Sequence, residues 1–227
     1  MNNYIKIKNL TKKYEKNKSI KVLNDITFNF EPGKTYSIMG PSGSGKSTLL
    51  NLLSLIDNPT AGSIEISNNK IKSNNKVKND LIRAKKIGII YQDKNLLSDF
   101  TALENVYLPN LLVSKEKQKS IELAKKLLKN VGMSSRINHF PNELSGGENQ
   151  RIAIARALIN NPDIILADEP TGSLDSDNAK LIFKILFNFK NKNRIIIFAT
   201  HNRYFANMAD CKIMMNDGNI QIINATI

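Results

Sequence analysis
The sequence predicts an α/β core interrupted by a helical insert, on three observations. Short apolar runs, Ile-Ile-Leu at 164–166 and Ile-Ile-Ile-Phe-Ala at 195–199, have the length of buried parallel strands. A glycine-rich loop, Gly40 to Thr48, sits between an apolar strand pattern and a helical one. From about residue 93 to 160 the texture turns almost entirely helical, and after Pro162 strand and helix alternate again. A chain of 227 residues is long enough for one sizeable α/β domain, or one core carrying a small inserted subdomain.

The elements follow in order. Residues 4–10 and 20–30 read as strands; in the second, Ile26, Phe28 and Phe30 alternate with Thr27 and Asn29, as in a half-buried antiparallel strand. The turn Glu-Pro-Gly-Lys at 31–34 leads into Tyr-Ser-Ile-Met-Gly, a short apolar strand ending in glycine. A helix is expected over roughly 46–57, closed by the turn Asn-Pro-Thr-Ala-Gly. Residues 63–91 contain two short strands, a polar stretch, a helix and the apolar strand IGIIYQ. In the insert, Thr-Ala-Leu-Glu at 101–104 is a capping box, with Thr101 as cap and Glu104 reaching back. Ile121, Ala124, Leu127, Leu128 and Val131 mark one helical face, and Gly132 stands where that helix should stop.

Composition narrows the function classes. No apolar run approaches the roughly 20 residues of a membrane-spanning helix, and MNNYIKIKNL lacks the apolar centre of a signal peptide. Cys211 is the single cysteine, which excludes an internal disulfide and is read as a small apolar residue in a strand. A soluble, cytoplasmic chain is expected. The formal charge of +13 fits nucleic acid, an acidic membrane surface or a lysine-rich solvated exterior. Its lysines are scattered, with KVK at 76–78 and KEKQK at 115–119 read as exposed helix faces. No basic block is interleaved with aromatics, so no nucleic-acid partner is expected.

The strongest chemical signal is GPSGSGKST, comprising Gly40, Pro41, Ser42, Gly43, Ser44, Gly45, Lys46, Ser47 and Thr48. Between a strand and a helix this is a P-loop. Its glycines let successive N–H groups converge on a polyphosphate, Lys46 places a point charge on the β and γ oxygens, and Ser47 offers a hydroxyl to Mg²⁺. ATP and Mg²⁺ are therefore the expected ligands. The second signal is ILADEP, where a buried strand ends in Asp168 and Glu169. Asp168 suits a magnesium hydration shell, and Glu169 can accept a proton from an attacking water or orient it. Gln92 and His201 also end apolar strands, both expected to flank the P-loop strand. The first is read as a magnesium ligand and partner sensor, the second as a donor to the γ-phosphate. His139 is read as a surface or capping residue. For Tyr14 two readings stand, stacking on adenine or ordinary core packing.

A third stretch, LSGGENQR at 144–151, reads as a helix start of bare glycine backbone behind a hydroxyl, with unpaired N–H groups: an anion site in a chain that already has one.

GPSGSGKST, Gln92, LSGGE, ILADEP, SLD at 173–175 and His201, in that order and spacing, resemble the nucleotide-binding subunit of ABC transporters across essentially the whole chain. The resemblance implies a RecA-like P-loop core with an antiparallel β subdomain (1–92 and 160–227) and an inserted helical subdomain (about 93–159). It implies adenine stacking by Tyr14, and a head-to-tail, ATP-dependent homodimer. There Ser145, Gly146, Gly147 and Glu148 cap the ATP held by the opposite copy, and Asp175 sits at the seam. Asn149 departs from the Gln or Arg common in the family, outside the phosphate contacts. Residues 86–112 look like the lipoprotein-releasing branch, which includes macrolide and peptide exporters. That implies separate transmembrane permease subunits docking near residues 92–112, at the cytoplasmic face of the bacterial inner membrane. A macrolide or antimicrobial-peptide exporter, a cell-division complex and, more remotely, a soluble nucleic-acid- or ribosome-associated ATPase are the alternatives.

Overall fold
A computed structural model describes residues 4–16 and 18–225. Strands β1 (Ile5–Lys16) and β2 (Lys18–Phe30) form a long antiparallel pair, extended by β4 (Ala61–Ile66) and β5 (Asn69–Lys70) in the order β2-β1-β4-β5. The alternation in β2 holds, because Ile26 and Phe30 are buried while Thr27 and Asn29 face solvent. The first strand runs six residues past its expected end, to Lys16. Register shifts after Ile7, Leu10 and Lys12 break its period-two pattern and hide the extension.

The second sheet holds β3 (Thr35–Met39), β6 (Ile87–Ile90), β7 (Ile164–Asp168), β8 (Ile195–Ala199), β9 (Cys211–Asn216) and β10 (Asn219–Ala225). Its order is β10-β9-β3-β8-β7-β6, parallel except for the β9–β10 hairpin. The continuous apolar runs are parallel strands buried on both faces, and their side chains divide by parity. Ile164, Leu166, Ile195 and Ile197 join a core with the four-stranded sheet and α1 (Lys46–Leu53). Ile165, Ala167, Ile196 and Phe198 join a second core on the opposite face.

That second core is completed by α3 (Ala102–Ser114), α4 (Lys117–Asn130), α5 (Gly146–Leu158) and α6 (Ser176–Asn188). Two further helices are α2 (Lys76–Lys86) and α7 (Arg203–Ala206). No described helix is long and apolar enough to cross a membrane. The capping box forms as expected, Thr101 accepting from the Glu104 amide and the Glu104 carboxylate accepting from the Thr101 amide at 2.8 Å. Gly132, at φ 73°, ends α4 with amide bonds from Gly132 to the Lys129 carbonyl and from Met133 to Leu128.

The segment 93–160 is less helical than its composition suggests. Its first helix starts only at Ala102, and residues 131–145 are loop with two single 3₁₀ turns. Helix α1 likewise ends at Leu53 rather than near 57, because Leu55 turns left-handed and the amides of Ile56 and Asp57 both fold back onto the Asn51 carbonyl. The KEKQK stretch is exposed, but Lys115 and Glu116 form the turn before α4 rather than its face. Cys211 is a buried strand residue.

Candidate functional site
The carboxyl ends of β3, β7 and β8 open into one cleft of about 540 Å³. Its lining takes Gly40, Ser42, Gly43, Gly45, Lys46, Ser47 and Thr48 from the P-loop, with Gln92, Asp168, Glu169 and His201 opposite. Ligands of open α/β sheets bind at this edge. The loop geometry requires its glycines: Gly43 and Gly45 have φ of 79° and 104°, and a Cβ on Gly40 would lie 2.1 Å from the Met215 carbonyl oxygen. Gly45 is the N-cap of α1, so the helix's first amides and positive dipole end face the cleft. The Lys46 ammonium donates to the carbonyls of Gly40 and Pro41, both at 2.9 Å, spanning the loop. Ser47 is exposed to the cleft, whereas Ser44 is buried with its hydroxyl unpartnered among the described residues.

The acidic pair divides in environment. Asp168 Oδ1 is buried without a hydrogen-bond partner among the described residues. A carboxylate oxygen left so in a cleft with the Ser47 hydroxyl and the Gln92 amide suits a hard, oxygen-seeking cation, so the residues present fit Mg²⁺. Glu169 stands in a left-handed conformation, φ 43°, which costs a non-glycine residue about 1 kcal/mol. Two backbone bonds hold it there, its amide to the Ala199 carbonyl and the Gly172 amide to its carbonyl, both at 3.1 Å. The twist aims the side chain at His201, whose Nδ1 is 3.0 Å from Glu169 Oε2. Glu169 is mostly covered, with 14% of its side chain exposed, while the imidazole is 72% exposed. A carboxylate joined to an imidazole at a cleft mouth can hold and move a proton there.

One expectation needs correction. Of the two strands expected to flank the P-loop strand β3, only β8, which leads to His201, adjoins it; β6, which leads to Gln92, is an edge strand separated from β3 by β8 and β7. Gln92 reaches the cleft by way of its loop, and its amide nitrogen would sit 3.4 Å from a Cβ on Gly172. Tyr14 is not core, being 39% exposed. Its hydroxyl donates to Asp57 Oδ2 at 2.9 Å, and the Lys12 ammonium sits 4.7 Å from its ring centroid. Burial and then the Asp57 bond raise its phenol pKa. Tyr14 lies outside the cleft lining.

The glycine helix start is present, with Ser145 as the N-cap of α5. Its donors are not all unpaired. Ser145 Oγ accepts from the Glu148 amide and Glu148 Oε2 accepts from the Ser145 amide at 2.9 Å, which leaves the amides of Gly146 and Gly147 without a partner among the described residues. Glu148 is thus engaged in the cap and in an ion pair with Arg136 at 3.2 Å, and its carboxyl pKa is lowered chiefly by the Ser145 amide. Asp175 caps α6, accepting from the amides of Asp177 and Asn178. Asn149 donates to the Pro141 carbonyl, and His139 offers its carbonyl to the first amide of α3. None of Ser145, Gly146, Gly147 or Asp175 lines the cleft of its own chain.

Sequence reasoning missed Arg156. From α5 its guanidinium donates to the carbonyls of Lys94 and Asn95, two left-handed residues just beyond Gln92. Burial pulls its pKa below the usual guanidinium range. Lys94 in turn donates to Ser173 at 2.6 Å. The signal was available only as an arginine in an otherwise apolar helix turn, IAIARAL.

Comparison with known proteins bears on the family and the fold. The family described as ABC transporter matches residues 23–172. The lipoprotein-releasing system ATP-binding protein LolD of Rickettsia bellii is 44% identical, over 92% of this chain and 93% of its own. An uncharacterized ABC transporter ATP-binding protein, MJ1508 of Methanocaldococcus jannaschii, is also 44% identical, over 97% and 99%. Among solved structures, the dimeric post-hydrolysis ATP-binding cassette MJ0796 bound to ADP and Pi superposes with TM-score 0.89 at 38% identity, covering 97% of this chain and 99% of that one.

Proposed function
The chain belongs to the ABC transporter family as an ATP-hydrolysing subunit, and from that premise we propose that two copies act head to tail to drive a separate membrane permease. The observation that carries this reading is the cleft itself. It holds the P-loop, Gln92, Asp168, Glu169 and His201 but none of the glycine helix start of its own chain. A second copy brings Ser145, Gly146 and Gly147 to the terminal phosphate, where two unpartnered amides and a helix dipole stabilise the charge that develops there. Glu148 shapes that helix start rather than touching phosphate, and Asp175 lies at the seam. The dimeric MJ0796 cassette with ADP and Pi supports this arrangement.

Within the cleft Lys46 and the loop amides hold the β and γ phosphates, and Tyr14, outside the cleft lining, stacks on an adenine that extends beyond it. Ser47 and Gln92 would hold Mg²⁺ directly, with Asp168 on its water shell. Once bound, the cation neutralises charge between the β and γ phosphates. Glu169 orients the attacking water and takes its proton, and His201 steadies both Glu169 and the γ-phosphate. The helical segment about 93–159 acts as a subdomain on the core, and the permease docks near residues 92–112. The cargo we infer is lipoprotein released from the inner membrane, with this subunit peripheral on its cytoplasmic face. Several LolD relatives at 43–46% identity support that cargo. The equal identity to the uncharacterized MJ1508 leaves the cargo open, and a macrolide or peptide exporter is the second reading.

Glu169→Gln tests the core of this. The variant should bind ATP with near wild-type affinity, lose turnover by about 100-fold or more, and elute as a dimer with ATP. Rapid hydrolysis by a monomer sinks both the base and the composite site. Reconstitution with candidate permeases, scoring lipoprotein release against macrolide efflux, decides the cargo.

A further inference from the structure
Helix α2 carries a surface that the ATP site does not use. Only Asn79 and Ile82 of this helix are buried. Val77 and Leu81 are 74% and 53% exposed, and Ala84 is exposed with them. At about 100° per residue these three fall in one stripe roughly opposite the buried side. An apolar stripe turned straight outward is not explained by the fold.

Charge frames that stripe. Residues 70–86 hold seven basic side chains against one acidic, Asp80. Arg83 pairs with Asp80 and Lys86 with Asp163. Lys70, Lys72, Lys76, Lys78 and Lys85 are exposed, with no carboxylate within ion-pair distance among the described residues. Lys78 and Lys85 lie on one flank of the stripe and Lys76 on the other.

We propose that the outward face of α2 is a contact for the anionic lipid surface of the membrane. An apolar stripe flanked by Lys76, Lys78 and Lys85, none paired with a carboxylate among the described residues, matches an interface that is apolar beneath an anionic layer. Val77 and Leu81 enter the headgroup–acyl boundary while the lysine stems extend sideways and set their ammonium groups among the phosphates. The contact extends the reading of a membrane-associated subunit: lipid orients the chain against the bilayer while the permease engages elsewhere.

Flotation of the purified chain with vesicles, no permease present, tests this apart from the ATPase reading. The wild type should float with phosphatidylglycerol–phosphatidylcholine vesicles and stay behind with phosphatidylcholine alone. Joint K76E, K78E and K85E substitution should weaken binding about 100-fold, near fivefold per lysine. Joint V77S and L81S substitution should lower it while leaving the salt dependence intact. ATP hydrolysis by both variants in solution should match wild type, which shows that they fold. Reversing three exposed lysines on α4, Lys125, Lys126 and Lys129, is the control. Failure of the wild type to float overturns the proposal, as does an equal loss in the α4 control, which would reduce the effect to net charge. Loss of permease co-purification in detergent without any vesicle binding would assign the face to an acidic protein, and also overturns it.

Discussion

Replacing Arg156 by Met should disconnect α5 from the loop that carries Gln92. The guanidinium gives two charge-assisted bonds, to the carbonyls of Lys94 and Asn95, whose φ values are 59° and 47°. Each such bond contributes about 1.5–3 kcal/mol when its loss strands a buried group. The Asn95 bond is at the surface and the Lys94 bond only part-buried, so water replaces much of what is lost. About 1 kcal/mol each is the sensible allowance, or about 2 kcal/mol in the order of the loop, close to a thirtyfold shift in its population. Met keeps the aliphatic stem, so α5 itself should stay packed. Amide exchange over residues 93–97 should accelerate about thirtyfold. ATP affinity, set by the P-loop, should change less than about threefold, and turnover should fall toward the same thirtyfold because Gln92 is no longer held at the cleft. Arg156→Lys should recover part of it with one point charge. Unchanged exchange in 93–97 together with wild-type turnover would refute the clamp.

Two glycines at one helix start should part company. A Cβ on Gly146 meets only Leu174 at 3.6 Å, whereas on Gly147 it would lie 2.8 Å from Asn178 Oδ1, a side chain tied to Asp175 at 2.6 Å. Gly146→Ala should therefore leave thermal stability equal or raised by up to about 1 kcal/mol yet lower turnover. Gly147→Ala should lower both, and equal effects of the two in melting and ATPase assays would deny the distinction. Asp210→Asn probes pH. Burial alone would raise the Asp210 carboxyl pKa, but Lys190 and the amide and hydroxyl of Thr35, all within 2.8 Å, outweigh it and hold it low. A depressed folded value stabilises above the unfolded carboxylate pKa of about 3.9 and is lost as pH falls through the lower folded one. The variant should be about 1–2 kcal/mol less stable at pH 7 in urea unfolding, with the gap closing below about pH 4. A gap that widens in acid reverses the sign.

Much of the fold was readable because its signals are local. The strand runs at 164–168 and 195–199, the Thr101 capping box and the Gly132 stop each follow from side chains within a few positions. So did the P-loop, whose glycines answer to backbone geometry over nine residues. What escaped depends on sheet order and on partners distant in sequence. No period reveals that the Gln92 strand lies at the sheet edge, and no spacing reveals that Arg156 reaches back 61 and 62 residues to two carbonyls. Tyr14 was ambiguous for the same reason: its contacts are with Lys12 and with Asp57, the latter 43 residues on. At the site, residue types were legible and their pairing was not. The Glu169–His201 contact needs the left-handed twist at Glu169, which the letters Asp-Glu-Pro do not announce.

The split of β7 and β8 by parity makes the parallel sheet a bulkhead with a different room on each side. Neither strand can slide along its neighbour by one residue without trading every side chain between the rooms. Whatever the nucleotide does to the helical layer must therefore travel around the rim, through the loops at 91–101 and 169–175, or swing that layer as a block. Single-residue insertions inside β7 or β8 should be lethal to folding, while the same insertions at the tips of those loops leave the walls standing.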